Sequence, residues 1–124
     1  MFKDKSSSAI VAVRDLDRAR RFYAETLKLE SSGETEGVLR FRTGATTLIV
    51  YASDTAGTNQ ANAVVWSAEG DFDALVEELR ARQVVFEEYP DLGMKIADGV
   101  HTAGDFKAAW FKDPDGNILH FNNR

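Results

Sequence analysis

Histidine is the residue type best suited to metal binding or proton transfer near neutral pH, and this chain has two. His120 lies in the last stretch of the chain, AAWFKDPDGNILHFNNR, four residues after the glycine of the turn DPDGN. Three roles are open to it: metal ligand, contact in a binding pocket, or filler of the core. Each role needs different neighbours, so the rest of the sequence decides between them.

Other kinds of chemistry have little support. The chain has no cysteine, which excludes disulfides, zinc–thiolate sites and cysteine nucleophiles. It has neither a glycine-rich phosphate loop nor a nucleophile motif. Glu87 and Glu88 form an acidic pair, but neighbouring positions of a strand point to opposite faces, so the two are poorly placed to act together as acid and base.

The bulk composition limits the partners. A chain of 124 residues fits one domain, or two very small ones that share a core. The net charge of −5 argues against nucleic acid and anionic membranes, since phosphate groups require basic patches. The first residues, MFKDKSSS, lack the apolar core of a secretion signal, and no apolar run approaches the ~20 residues of a membrane span. We expect a soluble, cytoplasmic protein.

Strand and helix patterns follow the same order in both halves of the chain. In the first half, SAIVAV predicts a strand, Asp15 the N-cap of a helix over LDRARRFYAETLKL, and GVLRFRTG with TTLIVYAS a hairpin turning at Gly44 and Ala45. In the second half, NAVVWSA predicts a strand, Asp71 the N-cap of a helix over FDALVEELRARQ, and VVFEEY, FKAAWF and NILHF three more strands.

A shift of 56 residues superimposes the two halves, placing Asp71 on Asp15 and Val64 on Ser8. Each half then has the order β-α-β-β-β, and such a repeat largely fixes the architecture. The sequence predicts one α+β domain over residues 1–124. Its first module covers about 6–53, a polar linker covers 54–61, and its second module covers about 62–124.

Two stretches, VRDLDRARRFYAETL and AAWFKDPDGNILHF, resemble the vicinal oxygen chelate superfamily. That superfamily includes glyoxalase I, extradiol dioxygenases, fosfomycin-modifying enzymes and the bleomycin-resistance binding proteins. The resemblance covers essentially the whole chain. It implies tandem βαβββ modules forming curved mixed sheets with helices outside and a cavity on the concave side. It also implies a homodimer in which both subunits line the cavity.

Enzymes of this superfamily bind a divalent metal through His and Glu side chains on the cavity strands. Carried over to this sequence, the ligand positions fall on Ser8, Ile49, Val64 and His120. Only His120 is a good metal ligand, and a single imidazole does not hold a metal against water. A register error of one residue does not rescue the site, because the neighbours also lack suitable donors: Ala9, Leu48, Val50, Ala63 and Val65. The sequence therefore predicts no metal, no cofactor and no catalytic residue.

The end of the chain also resembles that of the metal-free bleomycin-resistance proteins, in which the turn is followed by a His-Phe pair. Here the pair is His120 and Phe121. This similarity favours a ligand contact for His120, through ring stacking or a hydrogen bond. The alternative is a histidine that a neighbouring backbone group holds in place.

Alternation along the strands extends the predicted cavity lining to Ile10, Tyr51 and Trp66. Trp66 is the strongest candidate for stacking on a flat ligand, with core packing as the alternative. Tyr51 is either a hydrogen-bond donor in the cavity or a residue at its rim. The pattern does not set the face of Trp110, for which core packing is favoured over ligand contact. The opposite face is predicted to pack under the helices: Val11, Val13, Leu48, Val50, Leu119 and Phe121.

Residues 90–104 read as a long loop. Loops of this length in a compact domain are often lids, and Met94 would then cover an apolar ligand. The alternatives are an extra edge strand or a dimer contact. His101, in the same loop, is expected to be exposed to solvent.

Three functions remain open. The lost metal ligands and the apolar cavity favour a metal-free protein that binds a hydrophobic or aromatic small molecule, such as an antibiotic, at a dimer interface and leaves it unchanged. The second is a metal-dependent glyoxalase- or dioxygenase-type enzyme with a non-standard metal site, for example one that uses His101 or glutamates of the loop. The third is a regulatory or structural domain whose cavity is filled with side chains.

Overall fold

The computed structural model describes residues 1–124 as two β-sheets and two main helices. The strands are β1 (Ala9–Val13), β2 (Glu30–Thr35), β3 (Val38–Thr43), β4 (Thr46–Ala52), β5 (Asn62–Ser67), β6 (Lys95–Ala97), β7 (Val100–Ala103), β8 (Phe106–Lys112) and β9 (Ile118–Asn122). The helices are α1 (Leu16–Arg21), which continues as a π-helical turn over Phe22–Thr26, α2 (Phe72–Ala81), and a short 3-10 turn over Pro90–Leu92. No helix has the length and apolar character needed to cross a membrane.

The strand orders of the two sheets show the repeat. The first sheet has the order β1-β4-β3-β2, and the second has the order β5-β9-β8-β7-β6. β1 runs parallel to β4 and β5 runs parallel to β9, whereas the other neighbours are antiparallel. Each half is therefore a βαβββ module, and β6 adds one strand at the outer edge of the second sheet. The predicted α+β fold is confirmed.

The run 84–89 forms no strand, contrary to the prediction. Glu87 donates its backbone N–H to the carbonyl of Trp110 (2.8 Å). This bond lies at a part of β8 that β7 does not reach. The large apolar residues of this run pack on two different sides. Phe86 packs against the core, whereas Tyr89 packs edge-on against the ring of Trp110.

Residues 90–104 include an extra edge strand, β6, which is one of the three roles that the sequence leaves open for them. β6 and β7 form an antiparallel hairpin that turns at Asp98 and Gly99 and extends the second sheet. Gly99 has a φ of +83°, and a Cβ at this position would lie 2.5 Å from the Cβ of Phe86. The hairpin therefore depends on glycine at its turn.

The two helices begin after aspartates, but only one predicted cap forms. The Oδ1 of Asp15 accepts a hydrogen bond from the backbone N–H of Arg18 (3.0 Å), and this bond lowers the pKa of the Asp15 carboxyl. Asp71 stands at the N-cap position of α2 without a side-chain hydrogen bond. The prediction of a capping side chain at Asp71 is therefore wrong.

One hydrophobic core serves both modules. It contains 17 buried residues drawn from both halves of the chain, and Phe22 of the first half approaches Phe111 of β8 at 6.5 Å between ring centroids. All six residues predicted to pack under the helices belong to this core: Val11, Val13, Leu48, Val50, Leu119 and Phe121. We call the sheet faces that bound this core the helix side and the opposite faces the open faces.

The two signature stretches of the sequence hydrogen-bond to one another across the module boundary. The hydroxyl of Tyr23 donates to Oδ2 of Asp113 (2.7 Å). The guanidinium of Arg18 donates to Oδ1 of Asp115 (2.9 Å), whose side chain is 1% exposed. Burial raises the pKa of Tyr23, and the charge of Asp113 raises it further, so the hydroxyl remains a donor.

The segment 54–61 also packs on this turn. Gly57 has a φ of +77°, and a Cβ there would lie 2.1 Å from the carbonyl oxygen of Asp115. The preceding Ala56 is buried, and its carbonyl accepts a hydrogen bond from the side chain of Arg14 (3.3 Å). The segment between the modules is thus held in place by close contacts.

We predict that Tyr23→Phe lowers the free energy of unfolding by about 1–3 kcal/mol, because it leaves a buried carboxylate oxygen without its donor. Urea denaturation measures this change. Tyr51→Phe is the matched control, since Tyr51 is only half-buried, and it should change the stability by less than about 0.5 kcal/mol. Equal effects of the two substitutions would contradict the assigned role of the Tyr23–Asp113 bond.

Candidate functional site

Strand pairing sets which side chains share the open faces. In the first sheet, Ile10 of β1 lies beside Ile49 of β4. In the second sheet, Val65 of β5 lies beside His120 of β9, which pairs on its other side with Trp110 of β8. Ile10 and Val65 therefore occupy equivalent positions in the two modules, as do Ile49 and His120.

Val64 and Trp66 lie on the helix side, contrary to the prediction that they face the cavity. Val64 pairs with Leu119, a core residue of β9. Val64 is therefore buried in the core, and Trp66 packs against it. β5 is offset from β1 by 55 residues, whereas α2 is offset from α1 by 56, because the connection from strand to helix is one residue longer in the second module. A separate bulge after Asn62 shifts the pairing of that residue alone.

Three further predicted site residues occupy separate places. Ser8 is exposed and directly precedes β1. Tyr51 is half-buried in β4, two residues after Ile49 and on the same open face. Met94 is half-buried and directly precedes β6, at the outer edge of the second sheet. Of the three, Tyr51 is placed to contact a molecule on the open face of the first sheet.

A group of stacked rings forms the centre of the open face of the second sheet. The rings of Trp110 and His120 stack with centroids 4.4 Å apart and an interplanar angle of 19°. His101 and Tyr89 pack edge-on against the indole at 4.8 Å and 5.4 Å. The indole Nε1–H of Trp110 donates to Oδ1 of Asn62 (3.1 Å). We call these residues the ring cluster.

His120 is held by the protein itself. Its Nδ1 lies 3.0 Å from the carbonyl oxygen of Ala109, and its Nε2 lies 3.1 Å from the amide nitrogen of Asn122. Because a carbonyl oxygen only accepts, Nδ1 carries the hydrogen and Nε2 accepts from the amide. Burial lowers the pKa of His120, and the nearby His101 lowers it further, against the opposing effect of the bond to Ala109. The ring is therefore neutral at pH 7.

His101 is fully buried, contrary to the expectation that it is exposed. The backbone N–H of Tyr89 donates to its Nε2 (2.9 Å), and its Nδ1 donates to the carbonyl of Gly99 (3.0 Å). His101 lies in β7 itself, and its ring is enclosed by Tyr89, by the indole of Trp110 and by the Gly99 carbonyl at the hairpin turn. Both nitrogens are occupied, so His101 is unsuited to bind a metal or a ligand directly.

The residues of the open faces do not fit the metal implied by the resemblance. Ile49 and His120 lie at equivalent positions of the open faces, Ser8 is exposed before β1, and Asn62 rather than Val64 lies on the open face of the second sheet. The amide oxygen of Asn62 is neutral and already accepts from Trp110. No three His, Cys, Asp or Glu side chains of the chain lie close enough to share a metal ion. A single imidazole with neutral partners is a poor site for a divalent transition metal.

A family model described as Glyoxalase/Bleomycin resistance protein/Dioxygenase superfamily matches residues 6–121. The match covers most of the chain, and the two βαβββ modules agree with it. The chain therefore belongs to this superfamily. No curated protein matches the chain.

Several solved structures share the fold at low sequence identity. A glyoxalase/bleomycin resistance protein/dioxygenase from Alicyclobacillus acidocaldarius is 17% identical with a TM-score of 0.74, covering 96% of this chain and 90% of that chain. A lactoylglutathione lyase from Agrobacterium tumefaciens is 16% identical with a TM-score of 0.72, covering 96% and 92%. The fosfomycin resistance protein FosX from Mesorhizobium loti is 13% identical with a TM-score of 0.70, covering 100% and 94%. At such identities the likeness is one of fold.

We predict that the stability of the protein falls as the pH drops below 6.5 and that His120 contributes to this loss. The folded state holds the pKa of His120 below its ordinary value of 6.5, so the unfolded state takes up the proton first. The contribution is fully present above pH 6.5 and is lost progressively toward the lower folded pKa. Urea denaturation at several pH values between 7.5 and 5 measures it.

His120→Asn is the test variant, because its amide can still donate to Ala109 while carrying no titratable group. The variant should show a smaller loss of stability between pH 7.5 and 5 than the wild type. Parallel pH profiles for the two proteins would show that the ring of His120 titrates as it does in the unfolded chain.

Proposed function

We propose that the protein binds a small hydrophobic or aromatic molecule on its open faces, without a metal and without converting it chemically. The observation that carries this proposal is the ring cluster, in which a neutral His120 stacked on Trp110 occupies the face where a metal enzyme needs several ionic ligands. Flat aromatic side chains with few polar groups are typical of small-molecule pockets. The exposed Val65 beside His120 adds apolar surface next to the cluster.

A second copy of the chain completes the proposed site. Ile10 is 57% exposed and Val65 is 62% exposed, although both are large apolar residues within strands. β1 and β5 lie beside one another, and we infer that the two exposed side chains form one apolar region of the surface. Such regions favour association, and a two-fold dimer buries the same region of both copies. The ligand then lies between the open faces of the two subunits.

The experiment on ligand binding uses Trp66→Phe, which leaves Trp110 as the sole tryptophan of the chain. We expect planar aromatic molecules to change its fluorescence in a saturable way, because they approach the ring cluster. EDTA should leave the affinity unchanged, and mass spectrometry should recover the ligand unaltered after long incubation. Trp110→Phe removes this fluorescence, so its affinity is measured by equilibrium dialysis; it should weaken binding by about tenfold, the cost of replacing the large indole by a smaller ring.

Two results would overturn the proposal of metal-free binding without conversion. Stoichiometric metal in the purified protein, with a raised melting temperature on addition of nickel, zinc, manganese or iron(II), would overturn the metal-free proposal. Catalytic turnover of the bound molecule would overturn the proposal of binding without conversion. Either result would favour an enzyme with a non-standard metal site or mechanism.

The proposed dimer has its own test. We predict that Val65→Lys raises the dissociation constant of the dimer by about a hundredfold or more, since an uncompensated charge in a buried interface costs about 3–5 kcal/mol. Size-exclusion chromatography with light scattering over a dilution series measures this constant. Val85→Lys is the matched control, because Val85 is 80% exposed and lies outside the open faces. Equal dimerisation of the two variants would place the interface elsewhere.

A further inference from the structure

A second pocket lies on the helix side, away from the open faces. Its volume is about 260 Å³, and it lies between the end of the first module's helix, α2 and the second sheet. The apolar residues that shape it come from both modules: Leu27, Leu29, Trp66, Leu75, Phe111 and Phe121. Trp66 pairs with Phe121, a core residue that also lines this pocket, so its indole lies on this side of the sheet.

Trp66 forms a fixed wall of this pocket, which we call the helix-side pocket. Its Nε1–H donates to the hydroxyl of Thr43 at the end of β3, across the module boundary (2.9 Å). The one polar atom of the indole is therefore satisfied within the protein, and the ring surface is left for apolar contact. The half-buried Leu29 and Leu75 leave apolar surface accessible from solvent.

The charged residues of the helix-side pocket neutralise each other. The Nζ of Lys28 lies 3.2 Å from Oε1 of Glu78, and this contact lowers the pKa of the Glu78 carboxyl. No buried side-chain nitrogen or oxygen of the pocket lacks a hydrogen-bond partner, since the two such atoms of the chain are on Arg18 and Asp115. The lining thus offers no unpaired buried group to fix a charged or strongly polar ligand.

We propose that the helix-side pocket binds a neutral, planar, apolar molecule of one or two aromatic rings, independently of the open faces. Its volume exceeds that of the roughly 150 Å³ apolar cavities that accept benzene and lies just below the roughly 300 Å³ at which pockets for drug-sized ligands begin. The occupant stacks on or packs against the indole of Trp66, with its other surface against the leucines and phenylalanines.

The two tryptophans make this proposal separable from that for the open faces. Each indole N–H gives its own signal in a ¹H–¹⁵N correlation spectrum, and Trp66→Phe and Trp110→Phe assign the two signals. Naphthalene and p-xylene are added to the wild-type protein. We expect the Trp66 signal to shift in a saturable way, while the Trp110 signal stays in place or shifts with a different affinity.

A pair of matched substitutions locates the occupant. Leu75→Phe adds bulk inside the helix-side pocket and should weaken binding at Trp66 by about tenfold or more. Leu92→Phe makes the same change at a leucine that is 53% exposed and outside the pocket, and it should leave the affinity unchanged. If the spectrum of Leu75→Phe has lost its chemical-shift dispersion, which indicates unfolding, Leu29→Phe is used instead.

Three results would overturn the proposal. The Trp66 signal does not respond up to the solubility limit of both probes. The two indole signals shift with one common affinity that Trp110→Phe abolishes. Leu75→Phe and Leu29→Phe, while folded, bind as tightly as the wild type.

Discussion

The buried carboxylate of Asp113 is the point on which the arrangement of the two modules depends. A buried charge is stable only when its hydrogen-bonding capacity is met, and four donors meet it here. The backbone N–H groups of Asp115 and Asn117 and the amide of Asn117 close the turn around it, and the hydroxyl of Tyr23 reaches it from the other module. Asn117 also donates to the carbonyl of Ala12 in β1 (2.7 Å). The same bonds that shape the turn therefore fix β9, and with it His120, relative to the first module.

This framework is separate from the open faces, on which we propose ligand binding. The open faces carry few groups that the framework needs, so side chains there can change without loss of the fold. In this chain the second open face carries a neutral imidazole that is held by two hydrogen-bond partners and stacked on a buried indole. Trp66 pairs with the core residue Phe121, and Trp110 pairs with His120. The two indoles of the chain therefore lie on opposite sides of the second sheet.

The sequence was sufficient for the elements whose apolar pattern is strong. The strand at SAIVAV, the cap at Asp15, the hairpin at Gly44 and both final strands are all present. β2 has no such pattern, because all six of its residues are exposed. The extra residue between β5 and α2 leaves no mark beside a run of valines, where a shift by one residue exchanges one apolar side chain for another, so Val64 and Trp66 were assigned to the wrong face. The burial of His101 depends on a hairpin packed against distant residues, which local pattern does not encode.

The close approach of Gly57 to the Asp115 carbonyl bears on how the protein unfolds. Where two repeats are joined by a loose tether, each can open while its neighbour stays folded. Here the segment 54–61 packs closely on the turn at Asp115 in the second module. Tyr23 and Arg18 of the first module donate hydrogen bonds to the same turn. Separation of the modules would expose their common core to solvent. It would also remove the first module's hydrogen-bond donors from the carboxylates of Asp113 and Asp115. The internal duplication is therefore one of topology and not of autonomy, and these contacts favour unfolding of the two halves as a single cooperative unit.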